Sequence, residues 1–389
     1  MRVLVASTGG AGHFNPVVPF VEALVRRGDQ VLIVVPPELR ATVEAMGRPF
    51  RVGAAPPRQE WDAIWDRVPT VSPQEMAVLV NRELFGRLCT AAMLPAIEKA
   101  FADWRPDLLL REPCEYASAI VADRRGIPHA QVAVSQAEIE SDSLDLVAPV
   151  LEPYRGGIVE RISAAPYLTR FPAALDPSPF ADTRRFAEAQ ADRRRPLPEW
   201  WEGSDAPLVY VTFGSVAGGL PVGAAAFRAA LAAVDGLRAR VLLTVGRATD
   251  VASLGRVPAN VHIEAWVSQD DVLATAALVV CHGGSGTTFG ALAAGVPLVM
   301  VPLFADQPAN ARAVARAGAG LVVMPGAGGQ DKMGALEPED VPRIRAAIES
   351  VLGNESIRAA ASHIAAEMRA FPTIDTLLAT LAADLRDGE

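Results

Sequence analysis

Cysteine is scarce in this chain of 389 residues. There are three, Cys89, Cys114 and Cys281, odd in number and far apart. They cannot build a disulfide framework or a CxxC zinc clip, which fits a reducing compartment. Basic charge is short as well: 36 Lys and Arg stand against 45 Asp and Glu, for a net charge of −9. A duplex-binding protein would carry a basic stripe, so no nucleic-acid partner is expected. Long apolar runs are also missing. The longest, residues 291–304, is interrupted by Gly295, Pro297 and Pro302 and falls below the roughly 20 residues that span a bilayer. The apolar stretch at the start is about five residues, short of the roughly 7–15 of a signal peptide. A cytoplasmic protein without a membrane span is the expectation. Material for burial, by contrast, is plentiful. Half the residues are hydrophobic and 21% are charged, which excludes global disorder. At roughly 100–200 residues per domain, the length predicts two domains.

The first forty residues read as a β-α-β unit. Val3–Ala6 is a continuous apolar run, the pattern of a strand buried on both faces. A glycine-rich turn and Asn15-Pro16 follow, read as a helix cap with proline in the first turn. Val17, Phe20, Val21, Leu24 and Val25 recur at helical spacing, and Gly28 ends the helix before the run Val31–Val35. This order implies a parallel, doubly wound sheet. Further runs at 108–110 and 131–134 flank a helical stretch at 116–125, whereas residues 136–195 lose clear periodicity. The proline-rich stretch 196–207 reads as a linker. A second α/β domain restarts at Leu208, with strand candidates at 241–245, 278–281, 298–301 and 321–323. Ile374, Leu377, Leu378 and Leu381 share one face of a final helix.

Two glycine-rich turns carry the chemistry. The first, Thr8-Gly-Gly-Ala-Gly-His-Phe-Asn15, supplies Gly10 and Gly12 of a dinucleotide fingerprint but has Asn15 at the third position. The second strand also ends in Pro36-Pro37, with Glu38 displaced past the acidic position, so NAD binding is the weaker reading. His13 instead stands at the carboxyl edge of the first strand, where open α/β sheets place ligands. There it is either a general base or a residue that only caps a turn. The second turn, His282-Gly-Gly-Ser-Gly-Thr-Thr288, joins a buried strand to an apolar helix. Small residues and a helix N-terminus suit an anion, so this reads as a phosphate cradle. It lacks the P-loop lysine. Trp266 offers a face for a nucleobase or is an ordinary packed tryptophan. Asp306 is either a helix cap or an acceptor for sugar hydroxyls.

Taken in order, Thr212-Phe-Gly-Ser215, Trp266-Val-Ser-Gln269, His282–Thr288 and Phe304-Ala-Asp-Gln-Pro-Ala-Asn310, with the loop at His13, resemble the family-1 glycosyltransferases. The likeness points to the actinobacterial branch that decorates natural products. It implies an α/β GT-B fold, two Rossmann-like domains with a deep interdomain cleft. Residues 1–195 would form an acceptor-binding domain, 196–207 a linker and 208–370 a nucleotide-sugar-binding domain. Residues 371–389 would return as a helix to the first domain. By the same likeness His13 is the general base, and Glu112 matches the family's aspartate that orients it. Glu112 is one methylene longer and adjoins Arg111, so pairing with that arginine or touching the acceptor stays open. Trp266 would stack on the base beside Val267. Ser215, His282 and Thr287 would hold the diphosphate, with Gly12, Gly284, Ser285 and Gly286 in the binding set, and Asp306 and Gln307 would take the donor sugar. No Asp-x-Asp is present, so neither a metal nor a cofactor beyond the nucleotide-diphosphate sugar is expected. In uridine-dependent relatives a glutamate eight residues after the cradle histidine holds the ribose. Here that position is Gly290, which favours a dTDP-sugar. The acceptor would be a hydrophobic aglycone, joined through a hydroxyl or a phenolic carbon. A homodimer is left open. The rival readings are a hydrolysing nucleotide-sugar epimerase and a non-catalytic nucleotide-sugar-binding protein.

Overall fold

In the computed structural model, which describes residues 1–187, 195–214, 221–247, 249–326 and 336–387, the apolar runs become the strands of two parallel sheets. The first holds β1 (Arg2–Ala6), β2 (Gln30–Val35), β3 (Phe50–Val52), β4 (Leu108–Arg111), β5 (His129–Val132), β6 (Tyr167–Thr169) and β7 (Thr183–Arg185). Their order is β3-β2-β1-β4-β5-β6-β7, with every neighbouring pair parallel. The second holds β8 (Leu208–Thr212), β9 (Arg240–Thr244), β10 (Val261–Glu264), β11 (Ala276–Cys281), β12 (Leu298–Met300) and β13 (Gly320–Val322). It is parallel too, in the order β10-β9-β8-β11-β12-β13. Central strands covered on both faces need apolar side chains on both sides, which is why these runs do not alternate.

Each sheet winds outward from its first strand in one direction, then returns to wind in the other. The order reverses between β1 and β4 in one sheet and between β8 and β11 in the other. Connections on the two sides of such a point leave in opposite directions and open a crevice at the carboxyl ends of the strands. Both glycine-rich turns follow strands at these points.

The chain divides into two compact units. One comprises Met1–Arg170, Asp176–Ala189 and Phe371–Glu389, and the other Phe171–Leu175 and Gln190–Ala370. Phe171 joins the second because its ring stacks on Phe289, centroids 3.6 Å apart. The expected linker 196–207 is packed in place on that unit. Trp200 stacks on His262 at 4.4 Å, and Trp201 Nε1 donates to the Asn260 carbonyl. The final helix, Ile374–Asp387, belongs to the first unit. It buries Ile374, Leu377, Leu378 and Leu381 in the cluster that holds Phe20, Val21 and Leu24.

Two local expectations are corrected. Residues 137–151 and 158–164 form helices in a region that shows no clear period. The inward face of the first carries Glu140 and Ser143 among Leu144, Val147 and Leu151, which breaks the apolar repeat. Asn15 does not cap the N-terminus of a helix. It is itself helical, between the turn Ala11–Phe14 and the main helix Val18–Arg26, and no side-chain cap forms. Among the described residues no helix is long and apolar enough to cross a membrane.

The burial of Leu378, which has no exposed surface, makes the final helix structural. Leu378→Ala is expected to cost about 2–5 kcal/mol, read as a lowered denaturation midpoint. Loss below about 0.5 kcal/mol would mean that the helix contributes little to that core.

Candidate active site

At the switch point of the first sheet, the register Ala6↔Arg111 brings the turns after β1 and β4 side by side. Gly10 takes φ +94°, a conformation open to glycine at little cost. It turns the chain into the short helix that carries His13. Glu112 follows β4 and is fully buried. Its Oε1 accepts from the Thr8 amide at 2.9 Å. Its Oε2 accepts from the Cys114 amide at 2.9 Å and lies 2.9 Å from His13 Nδ1.

Burial pushes the Glu112 carboxyl upward. The His13 charge, the hydrogen bond from its ring and the two amides outweigh that and hold it below the ordinary carboxylate range. Arg111 is not its partner. The buried guanidinium donates to the carbonyls of Glu112, Pro113 and Glu115 and to Gln131 Oε1. The extra methylene of Glu112 therefore still reaches the histidine.

Two neighbours were not assigned to this point from sequence. Phe85 stands 5.1 Å from the His13 ring, centroid to centroid, on the π-helical stretch Val78–Cys89. Cys114 had no signal of its own. His13, Glu112 and Cys114 bring a ring nitrogen, a carboxylate oxygen and a thiol within 4.8 Å of one another. Nearby, Glu140 accepts from the Val134 and Ser135 amides and from the Tyr167 hydroxyl. Burial pushes its carboxyl up to about 8. Gly12 has open space around its α-carbon, with no atom within 4 Å of where a Cβ would lie.

At the second switch point, Cys281↔Thr212 pairing sets the turn after β11 beside the turn after β8. His282 lies against two glycines. A Cβ on Gly214 would come 2.9 Å from its ring, and one on Gly284 2.6 Å. Gly214 also takes φ +77°, so only glycine suits that position. His282 Nδ1 is buried and has no hydrogen-bond partner among the described residues. Burial lowers the ring from 6.5 to about 4, so it is neutral at physiological pH.

The helix Ser285–Ala294 starts here with no side-chain cap, and the first turn of a helix is a setting that suits an anion. Gly286 is exposed there, and Thr287 is half-buried. Ser215 lies outside the described residues. Asp306 stands at the N-cap position of the helix Gln307–Arg316, but its side chain makes no cap hydrogen bond. Its Oδ2 accepts from Ser285 Oγ at 2.7 Å and from Asn310 Nδ2 at 3.0 Å. Asn310 also donates to the Gly283 carbonyl at 2.9 Å, which ties the cradle to Asp306. Gln307 is buried, and its Oε1 accepts from the Leu303 and Phe304 amides. That carbonyl shapes the loop. Trp266 is 66% exposed, which excludes an ordinary core tryptophan. Val267 beside it is half-buried. The Cβ site of Gly290 is 3.5 Å from Gln269 Oε1.

Residues 23–161 match the N-terminal domain, and residues 228–383 the C-terminal domain, of the erythromycin biosynthesis protein CIII-like family. The elloramycin glycosyltransferase of Streptomyces olivaceus is 33% identical over 369 residues, 82% of this chain and 85% of that one. The chain belongs to this family of glycosyltransferases. The L-demethylnoviosyl transferase of Streptomyces niveus is 29% identical, with 99% of each chain covered. Among solved structures, the spinosyn rhamnosyltransferase SpnG has a TM-score of 0.79 at 24% identity, covering 98% of this chain and all of that one. SnogD of Streptomyces nogalater has a TM-score of 0.74 at 23% identity, with 99% of each chain covered. These likenesses identify the fold of the glycosyltransferase as GT-B.

A neutral His282 has a direct test. In nitrogen-15 NMR its ring should stay neutral from pH 8 down to about 5.5. A titration midpoint near 6.5 would show that burial does not control it.

Proposed function

We propose that the glycosyltransferase moves a sugar, a deoxysugar by the family likeness, from thymidine diphosphate to a hydrophobic aglycone with inversion. The observation that carries this reading is the His13–Glu112 pair at the carboxyl edge of β1 and β4. In the neutral ring, Nδ1–H donates to Glu112, so the lone pair is on Nε2. Nε2 takes the proton of the acceptor hydroxyl as its oxygen attacks the anomeric carbon. The carbon–phosphate-oxygen bond breaks on the opposite face, which inverts the centre. The charge that develops on the ring is balanced by the buried Glu112 carboxylate.

The leaving diphosphate would be received by the first-turn amides of Ser285–Ala294 and by His282, a half-buried neutral donor. A preorganised donor of this kind can act without a metal. Trp266 would cover the base, and Asp306, oriented by Ser285 and Asn310, would accept from sugar hydroxyls. The first unit would bind the acceptor and the second the donor. Two relatives of the same fold support the substrate classes. Spinosyn rhamnosyltransferase has been solved with thymidine diphosphate and with the spinosyn aglycone, and VinC with dTDP.

His13→Ala should lower kcat by about 10²–10⁴-fold while donor affinity changes little. Near-normal turnover on a hydroxyl acceptor of ordinary pKa would remove His13 as the base.

For the nucleotide, Gly290 brings no carboxylate to the ribose, so a 2′-hydroxyl gains no charged partner there. Thymidine diphosphate should bind more tightly than uridine diphosphate, by about 0.5–1.5 kcal/mol. Calorimetry with both free nucleotides decides, and equal or tighter binding of the uridine form rejects the preference.

A further inference from the structure

We infer that His13, Glu112 and Cys114 form a site for a thiophilic divalent cation, zinc being the physiological candidate, which switches the transferase off. The three side chains offer one nitrogen, one oxygen and one sulfur ligand within 4.8 Å. Tetrahedral zinc with such ligands sets them about 3.4–3.8 Å apart, so the 2.9 Å His13–Glu112 pair must open slightly and the other separations, at most 4.8 Å, adjust by about 1 Å or less. The donor types select the metal. Magnesium and calcium take oxygen ligands, whereas a thiol beside an imidazole suits zinc or cobalt(II).

The surroundings favour a cation. Glu112 is fully buried and accepts from the Thr8 and Cys114 amides, as an ionised carboxylate does. The opposing charge, Arg111, is engaged by three main-chain carbonyls and Gln131. Coordination would deprotonate the Cys114 thiol. The His13 side chain, 23% exposed, gives the ion a way in.

The protons balance as follows. Zinc takes the Nδ1 lone pair beside Glu112 Oε2, so the ring proton moves from Nδ1 to Nε2. The thiol proton leaves to solvent, for a net release of one. A ring protonated at Nε2 can no longer accept a proton from the acceptor. Metal binding does not depend on the role of His13. Inhibition does, because it rests on His13 being the base.

Metal-free, full-length protein is titrated with zinc by calorimetry and with cobalt(II) by absorption. One zinc should bind, at least about tenfold more tightly than to Cys114→Ser or His13→Ala. A thiolate-to-cobalt charge-transfer band should appear in the parent and be absent from Cys114→Ser. The two variants come from different turns, so a folding defect in one leaves the other as the test. Zinc affinity equal in the parent and both variants, or no tighter than that for magnesium, overturns the site. In transfer assays, Cys114→Ser should need at least about tenfold more zinc than the parent for the same fractional slowing of its own metal-free rate. Zinc bound through this cluster with transfer unslowed leaves the site standing and rejects His13 as the base.

Discussion

A carboxylate cut off from water has to draw its whole solvation from protein donors, and Glu112 imposes that requirement on the first unit. Leaving such a charge unpaired in the interior costs several kcal/mol. Its donors come from two turns. The Thr8 amide and the His13 ring follow β1, and the Cys114 amide lies just past β4. They meet because β1 and β4 are neighbours at the point where the strand order reverses. The register of the sheet and the ionisation of the carboxylate are thus one problem with one solution. Arg111, the residue best placed by sequence to compete, is withdrawn to main-chain carbonyls.

The second unit solves a different problem with a similar frame. Among the described residues no carboxylate pairs with its His282. Its ring rests on Gly214 and Gly284, where a Cβ would overlap it. Small size, and not charge, makes room for His282. Desolvation then keeps it neutral. The two histidines stand on opposite sides of their switch points, His13 after the first strand of its sheet and His282 after the fourth, and one is paired with a carboxylate while the other is desolvated.

The sheets were legible in the sequence because parallel strands covered on both faces write themselves as unbroken apolar runs. The two glycine turns were legible because a missing Cβ is visible in the letters. The helix Ala137–Leu151 was not, since Glu140 and Ser143 occupy its inner face. Three-residue strands such as β3 and β6 are too short to show a period. The pairing of His13 with Glu112 spans 99 positions and follows from sheet register, which residue spacing does not encode. The family likeness supplied Glu112 as a candidate, and only the geometry separates it from Arg111. For Asp306, position just before a helix allowed a cap. Ser285 and Asn310 settle its orientation, because they hold Oδ2 from the side of the cradle.

The final helix ties the beginning of the chain to its end. Residues 371–389 complete a core that begins at residue 3, while the second unit is encoded almost wholly between them. During synthesis, Phe20, Val21 and Leu24 leave the ribosome early but wait for Leu377, Leu378 and Leu381 before their apolar surface is covered. At about 5–20 residues per second that interval is tens of seconds. The first unit to emerge is the last to be finished, and its unfinished face is the part of the nascent chain that most needs a chaperone.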